Sequence, residues 1–253
     1  MRLIKILFYI LAIFFSYHPV NSGTIDPGIS DTKYVEYGSK FDCVVGICGI
    51  ETDGGLFCAS AVAIDKNHIL TAAHVVYQSE ICVVTVKDKK YEISKIIIHK
   101  DFTENSFGVG DIALGYSEKD FDLDFYPKLY DTEDEVGKIC SIAGYGLTGN
   151  FETGAKASDG KKRAGSNKID SIDHDMLICT PSRRGHKDYT SLEFFLASGD
   201  SGGGLFIDGK LAGINSCIIA SNGSSPKSRY NEESGHTRIS KFISWINENK
   251  KCQ

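Results

Sequence analysis

Residues 194–206 read FFLASGDSGGGLF, and within this stretch Ser201 stands among four glycines, directly after Asp200. Glycines beside a serine permit unusual backbone dihedral angles and let the main chain approach a bound molecule closely. A turn is the simplest interpretation of such a cluster. A nucleophilic role for Ser201 therefore requires suitable partners elsewhere in the chain.

Two upstream segments supply those partners. His74 lies in ILTAAHVV (residues 69–76), and Asp111 lies in GDIALGY (residues 110–116). A serine hydroxyl is a weak nucleophile and needs a base such as histidine, which in turn needs a buried carboxylate to hold its tautomer. Backbone N–H groups must also face the oxygen that becomes negative. The sequence predicts His74, Asp111 and Ser201 as catalytic residues, with the N–H groups of Gly199 and Ser201 as the oxyanion hole.

The first 23 of the 253 residues have the layout of a secretory signal peptide. Arg2 and Lys5 precede an apolar run from Ile6 to Phe15, which is shorter than the roughly 20 residues that span a bilayer. We therefore expect a secreted protein, extracellular or periplasmic. Removal of the two basic residues makes the net charge of −5 two units more negative. This acidic balance gives no reason to expect nucleic acid or a membrane as partner.

The eight cysteines all follow the predicted signal peptide. An even number in an exported chain indicates disulfides, and eight cysteines allow 105 pairings among which the sequence does not choose. No pattern of cysteines and histidines has the spacing of a zinc site. We expect neither a metal nor a cofactor.

Short β-type runs separated by turn residues dominate the chain, and long helical patterns between them are missing. Such a pattern indicates an all-β barrel or sandwich. The end of the chain differs, because TRISKFISWIN (residues 237–247) places most of its apolar residues on one helical face. We predict a short C-terminal helix that packs on a barrel, with Cys252 near its end.

Six ordered motifs resemble the chymotrypsin/trypsin-like serine peptidases: TAAH, DIAL, CSIAGYG, GDSGG, GINSC and HTRISKFISWIN. The resemblance implies two six-stranded antiparallel β-barrels, residues 24–130 carrying His74 and Asp111, and residues 131–253 carrying Ser201 and the helix. It implies a serine endopeptidase that acts through an acyl-enzyme on protein or peptide substrates, with a protein inhibitor as a further partner. Ser216 matches the serine that supports the aspartate and begins the substrate-pairing strand.

The chain departs from the family at its start. The usual Ile-Val-Gly-Gly terminus, whose amine pairs with the aspartate before the nucleophile, is absent, although Asp200 is present. We favour activity on signal removal with Asp200 held by another group. Processing at an unrecognised site, or an oxyanion loop that never orders, are the alternatives. A catalytically inactive, protease-like binding protein is accordingly the competing functional class.

The specificity pocket departs as well. By the resemblance, the substrate-binding positions are Phe195, Leu196, Ser216, Cys217 and Ile218. Phe195 stands where trypsin has a buried aspartate, which disfavours cleavage after Lys or Arg because no carboxylate would pair with the cation. Phe195 and Ile218 predict an apolar, shallow pocket for small or medium apolar residues. The alternative is that Phe195 packs in the core and leaves the pocket narrow or occluded.

Overall fold

The computed structural model describes residues 23–104, 108–157, 159–220 and 224–251. The interpretation of residues 1–22 as a signal peptide, and Cys252, lie outside these ranges. In chain order the first strands are β1 (Thr24–Ile25), β2 (Val44–Glu51), β3 (Leu56–Ala63), β4 (His68–Thr71), β5 (Ser79–Val86), β6 (Lys89–Glu92), β7 (Lys95–Ile98) and β8 (Ala113–Tyr116). They are followed by β9 (Ile139–Gly144), β10 (Thr148–Asn150), β11 (Gly154–Ala157), β12 (Arg163–Asp173), β13 (Met176–Cys179), β14 (Phe194–Phe195), β15 (Gly204–Ile207), β16 (Lys210–Ala220) and β17 (Glu232–Arg238).

Helices are short in the described ranges. They are α1 (Asp31–Gly38), the single turn α2 (Ala73–Val76) and α3 (Ile243–Lys250), which a 3-10 turn (Ile239–Lys241) precedes. None of the described helices is long and apolar enough to cross a membrane. The predictions of an all-β class and of a C-terminal helix are confirmed.

The C-terminal half forms a closed six-stranded barrel in the order β12-β13-β17-β16-β15-β9, as the sequence predicts. The N-terminal half is a half-barrel, a seven-stranded sheet in the order β6-β5-β2-β3-β4-β8-β7. The seventh strand arises because the run YEISKIIIH (residues 91–99), whose sequence pattern predicts one strand, is divided between two strands, β6 and β7. Ile93 donates its N–H to the carbonyl of Cys82 on β5, next to the edge strand β6, and Ser94 donates its N–H to the carbonyl of Tyr116 on β8, next to the edge strand β7. The chain therefore changes sheet edge between two neighbouring residues.

Each half receives a segment from the opposite end of the chain. Ile25 and Tyr34 pack in the core of the C-terminal barrel, and α1 lies against β12. Phe242 and Ile246 of the C-terminal segment pack in the N-terminal core, where the ring of His99 lies 4.9 Å from that of Phe242. Burial of side chains of this size contributes roughly 1.5–3 kcal/mol each. The two halves are thus fastened to each other at both ends, and the boundary at residue 130 stays a prediction.

One disulfide joins the directly opposed residues Cys48 and Cys58 on β2 and β3. The other described cysteines are free thiols, namely Cys43, Cys82, Cys140, Cys179 and Cys217. The Sγ atoms of Cys140 and Cys179 lie 4.0 Å apart in the core of the C-terminal barrel. The expectation of a disulfide is confirmed, with a pairing between neighbouring strands.

Candidate active site

His74 and Asp111 are brought together by neighbouring strands of the half-barrel. His74 lies on α2, directly after β4, and Asp111 precedes β8, which pairs with β4. The His74 main-chain N–H donates to Asp111 Oδ1 at 2.9 Å, and His74 Nδ1 lies 2.8 Å from Oδ2. The imidazole is 41% exposed while the carboxylate is 4% exposed. One face of the ring is therefore open to a molecule approaching from solvent.

Asp111 is buried but well supplied with donors. Burial acts to raise its pKa, yet the hydrogen bonds and charge of His74, together with the hydroxyl of Ser216, hold that pKa below its usual value. Ser216 Oγ donates to Asp111 Oδ2 at 2.6 Å, and Thr237 Oγ1 donates to the Asp111 carbonyl at 2.9 Å. The ionised carboxylate accepts a hydrogen bond from Nδ1–H, which leaves His74 Nε2 as the basic nitrogen.

Ser201 lies on a loop that is docked against the other half of the molecule. Ser60 on β3 donates its N–H to the Ser201 carbonyl and its hydroxyl to the Gly199 carbonyl, each at 2.9 Å. Gly199 has φ +92° and Gly202 has φ +82°, both in the left-handed region that favours glycine. A side chain on Gly202 would also collide with the Ser60 carbonyl. The glycines that attract attention in the sequence are thus required by backbone shape and by close approach.

The loop leaves two N–H groups available. Among the hydrogen bonds of the described residues, neither Gly199 N nor Ser201 N donates to an acceptor. The residue between them, Asp200, is fully buried, and its carboxylate accepts from Gly146 N and Ala197 N, each at 2.8 Å. Backbone N–H groups thus hold Asp200, in agreement with the favoured expectation that another group takes the place of the missing terminal amine.

A polar network behind the loop escaped the sequence analysis. Asn215 donates its side-chain N–H groups to the carbonyls of Ala143 and Asp200. Its side-chain oxygen lies 2.9 Å from His236 Nδ1, and His236 Nε2 lies 3.0 Å from Ser234 Oγ. Because the amide uses its N–H groups on the two carbonyls, His236 Nδ1 is the donor to Asn215. Burial lowers the pKa of His236 to about 3, so the ring is neutral.

Two open cavities meet at the seam between the halves, and both are lined by Ser216 and Cys217. One, of about 480 Å³, contains Ser201, and the other, of about 430 Å³, contains His74 and Asp111. No hydrogen bond in the described part of the chain joins His74 to Ser201. Such bonds often tighten only when substrate is bound.

The predicted substrate-binding residues divide into two groups. Leu196, Ser216, Cys217 and Ile218 line the cavity that contains Ser201. Phe195 does not line it, because its side chain is fully buried and its main chain pairs with Thr24 of β1. The aromatic ring therefore lies in the core and not in a pocket wall.

The cavity also contains residues that the sequence analysis did not single out. Pro226, Lys227, Ser228 and Arg229 form one side of it, and Leu147, Thr153 and Ala155 form another. No short motif marks these segments. The only available signal was their place in the Gly- and Ser-rich loops on either side of the nucleophile. In the described part of the chain, no cluster of three or more His, Cys, Asp or Glu side chains is suited to a metal ion.

Comparison with known proteins gives consistent matches. The family model described as Trypsin matches residues 36–246. Kallikrein 1-related peptidase b22 of Mus musculus is 27% identical over 219 aligned positions, and the match covers 76% of this chain and 80% of that protein. Submandibular glandular kallikrein-9 of Rattus norvegicus is 26% identical over 224 residues, with the same coverage.

Solved structures agree at the level of the fold. Neuropsin, a serine protease expressed in the limbic system of mouse brain, superposes with a TM-score of 0.65 at 20% identity, covering 84% of this chain and 96% of that one. HL collagenase superposes with a TM-score of 0.67 at 17% identity, covering 85% and 95%.

Proposed function

This chain belongs to the trypsin family of serine peptidases, and on that premise we propose that it is a secreted serine endopeptidase acting through an acyl-enzyme on Ser201. The observation that carries the proposal is the hydrogen-bonded series from Ser216 through Asp111 to His74, beside the cavity that contains Ser201. Peptide substrates follow from the family. Secretion is supported by the basic and apolar start of the sequence.

In the first half of the proposed reaction, His74 Nε2 accepts the proton of the Ser201 hydroxyl while Ser201 Oγ attacks the carbonyl carbon of the scissile bond. Asp111 stabilises the imidazolium that forms, since its carboxylate lies 2.8 Å from Nδ1. The carbonyl oxygen becomes an oxyanion. The free N–H groups of Gly199 and Ser201 are the groups suited to receive it.

In the second half, His74 gives its proton to the leaving amine, and the C–N bond breaks to leave an ester on Ser201. Water then enters, His74 removes its proton, and the resulting hydroxide attacks the ester carbonyl. Collapse of this intermediate breaks the ester bond and returns the proton to Ser201 Oγ. Each step uses the same base and oxyanion donors, which is why a single rigid arrangement suffices.

Substrate main chain would pair with β16 from Ser216 onward, where β16 extends beyond its pairing with β15. Among its described lining residues the cavity beside Ser201 has no Asp or Glu, which supports a specificity other than that of trypsin. The sequence-based hypothesis of a small or medium apolar residue before the scissile bond draws on Leu196 and Ile218, which line the cavity, but it gives no role to Lys227 and Arg229, which line it too. Phe195 gives that hypothesis no support, because its ring is buried.

A protease-like binding protein without activity is the second candidate. The observation that favours it is the missing hydrogen bond between His74 and Ser201 in the described chain. A base out of reach of the hydroxyl would leave Ser201 unactivated. The free oxyanion donors and the supported Asp111 favour the enzyme.

A fluorophosphonate probe separates these two candidates, because it phosphonylates only an activated serine and releases fluoride. We expect labelling of the folded wild-type protein at Ser201 and none in Ser201→Ala. Ser198→Ala is the matched control, since Ser198 lines the same cavity, and it should be labelled like wild type. Absence of labelling in folded wild-type protein would favour the binding class.

A further inference from the structure

The cavity beside Ser201 is lined by basic side chains, and by no acidic side chain among the described residues. Lys227 and Arg229 line it, and none of its described lining residues is an Asp or Glu. Lys227 is exposed, whereas Arg229 is half-buried. Its Nε atom is inaccessible to solvent and has no hydrogen-bond partner among the described residues. In most proteins, a buried cation of this kind is paired with an anion.

Arg229 is held in place but keeps donors to spare. Its Nη2 donates to the carbonyl of Thr153 at 2.8 Å, and this is the side-chain hydrogen bond of Arg229 in the described chain. A guanidinium has five N–H donors in a rigid fork, so most of them are unused here. Gly154, with φ +77°, allows the side chain to come close, because a Cβ at this position would lie 3.0 Å from Nε.

The loop that carries both cations is fixed by a carboxylate that leaves their side chains free. Glu232 accepts the main-chain N–H of Lys227 at 3.0 and 3.1 Å, and that of Arg229 at 3.1 Å. On the other side, Ala155 N donates to the Lys227 carbonyl at 3.1 Å. Glu232 thus positions the main chain, and no ion pair between it and either cation occurs in the described part of the chain. A rigid loop loses little entropy when a ligand binds.

We infer that this cavity takes a carboxylate, and that the enzyme cleaves after Asp or Glu, with Arg229 as the specificity-determining residue. This inference rests on the proposed function. A guanidinium fork matches both oxygens of a carboxylate, and such charge-assisted pairs are stronger than neutral hydrogen bonds. Lys227, which also lines the cavity, adds attraction for the carboxylate and repels Lys and Arg side chains. Leu196 and Ile218 pack beside the methylene groups of the acid, which reassigns their role from the apolar hypothesis.

Peptide substrates that differ only in the residue before the scissile bond provide the test. The protein is first titrated with the fluorophosphonate probe, so that rates refer to reactive Ser201. We expect kcat/KM for Asp or Glu to exceed that for its uncharged amide, Asn or Gln, by at least about tenfold. It should also exceed that for Ala or Leu. Equal rates for the acid and its amide, or faster cleavage after Ala or Leu, would overturn the inference while leaving the proposed enzyme intact.

Variants assign the effect to the cation. Arg229→Gln should lower the ratio of acid to amide cleavage at least about tenfold, and Arg229→Lys should retain part of it. Lys227→Gln should lower the ratio less, and Lys187→Gln is its matched control, because Lys187 is exposed outside the cavity. An unchanged ratio in both Arg229→Gln and Lys227→Gln would refute the role of the cations. If Arg229→Gln does not fold, the test rests on the comparison of Lys227→Gln with Lys187→Gln and on the ratio of acid to amide cleavage in the wild-type protein. No labelling of wild-type protein would remove the proposed function and this inference together.

Discussion

Acid should destabilise the fold through His236, a fully buried residue that lines neither cavity of the site. Burial lowers the pKa of its ring to about 3, whereas an unfolded chain has the ordinary histidine value near 6.5. The folded and unfolded states therefore differ in bound protons only between these two values. Stability from this residue is complete above about pH 6.5 and is lost as the pH falls toward 3, because the unfolded state takes up a proton that the folded state refuses.

The magnitude follows from the two pKa values. Between pH 7 and pH 5, linkage gives a loss of about 2 kcal/mol from this ring alone. The result changes little if the folded value is a unit higher, since pH 5 still lies above it. For a chain of this length, 1 kcal/mol corresponds to roughly 2–4 °C in Tm, so we expect a fall of about 4–8 °C.

Calorimetry on a Ser201→Ala background, which prevents self-cleavage, would measure this loss. Adding His236→Gln should remove about 2 kcal/mol of the acid destabilisation, whereas adding His186→Gln, at an exposed histidine, should leave it in place. If His236→Gln folds poorly, the ring proton of His236 in the parent can be followed by NMR, and its shift should stay constant from pH 8 to 4.5. A midpoint near 6.5 for that proton, or equal acid losses in the parent and the His236 variant, would refute the reasoning.

Three further predictions concern catalysis and stability. His74→Ala should lower kcat by about four orders of magnitude or more, because base and nucleophile act as a unit; turnover within tenfold of wild type would contradict His74 as the base. Glu135→Gln should lower the free energy of unfolding, measured in urea, by about 3 kcal/mol, because it breaks the buried bidentate ion pair with Arg238 at 2.8 and 2.7 Å. A loss under 1 kcal/mol would contradict a stabilising role for this ion pair. Cys48→Ser should cost roughly 2–3 kcal/mol by releasing a loop of 10 residues closed by Cys58, and an unchanged urea midpoint would be the adverse result.

The proposed catalytic positions were predictable because chemistry restricts their residue types locally. His74, Asp111 and Ser201 lie in short motifs, and the fold brings His74 to Asp111 as expected. The strand count of the first half was harder to predict. The break after Ile93 depends on which sheet edge each neighbour meets, and a run of β-type residues contains no such information.

The residues of the cavity wall could not be predicted from the sequence, for a related reason. Arg229 is positioned by Thr153 and Glu232, one from a distant loop and one from β17. Contacts of this kind are set by tertiary structure and leave no periodic pattern. The position of Phe195 could not be predicted for a different reason. Its alignment to a pocket position said nothing about β1, whose residue Thr24 pairs with it and encloses it in a sheet.

The small strand β1 also bears on the order in which the protein assembles. Thr24 pairs with Gly149 and with Phe195, and the hydroxyl of Tyr189 donates to Asp26 across 163 positions of sequence. Contacts between such distant residues close large loops, which costs entropy and slows folding. During synthesis, β1 must wait until residue 195 has left the ribosome. We therefore expect the loop that presents Ser201 to be among the last parts of the molecule to become ordered, so that a nascent chain remains inert until it is almost complete.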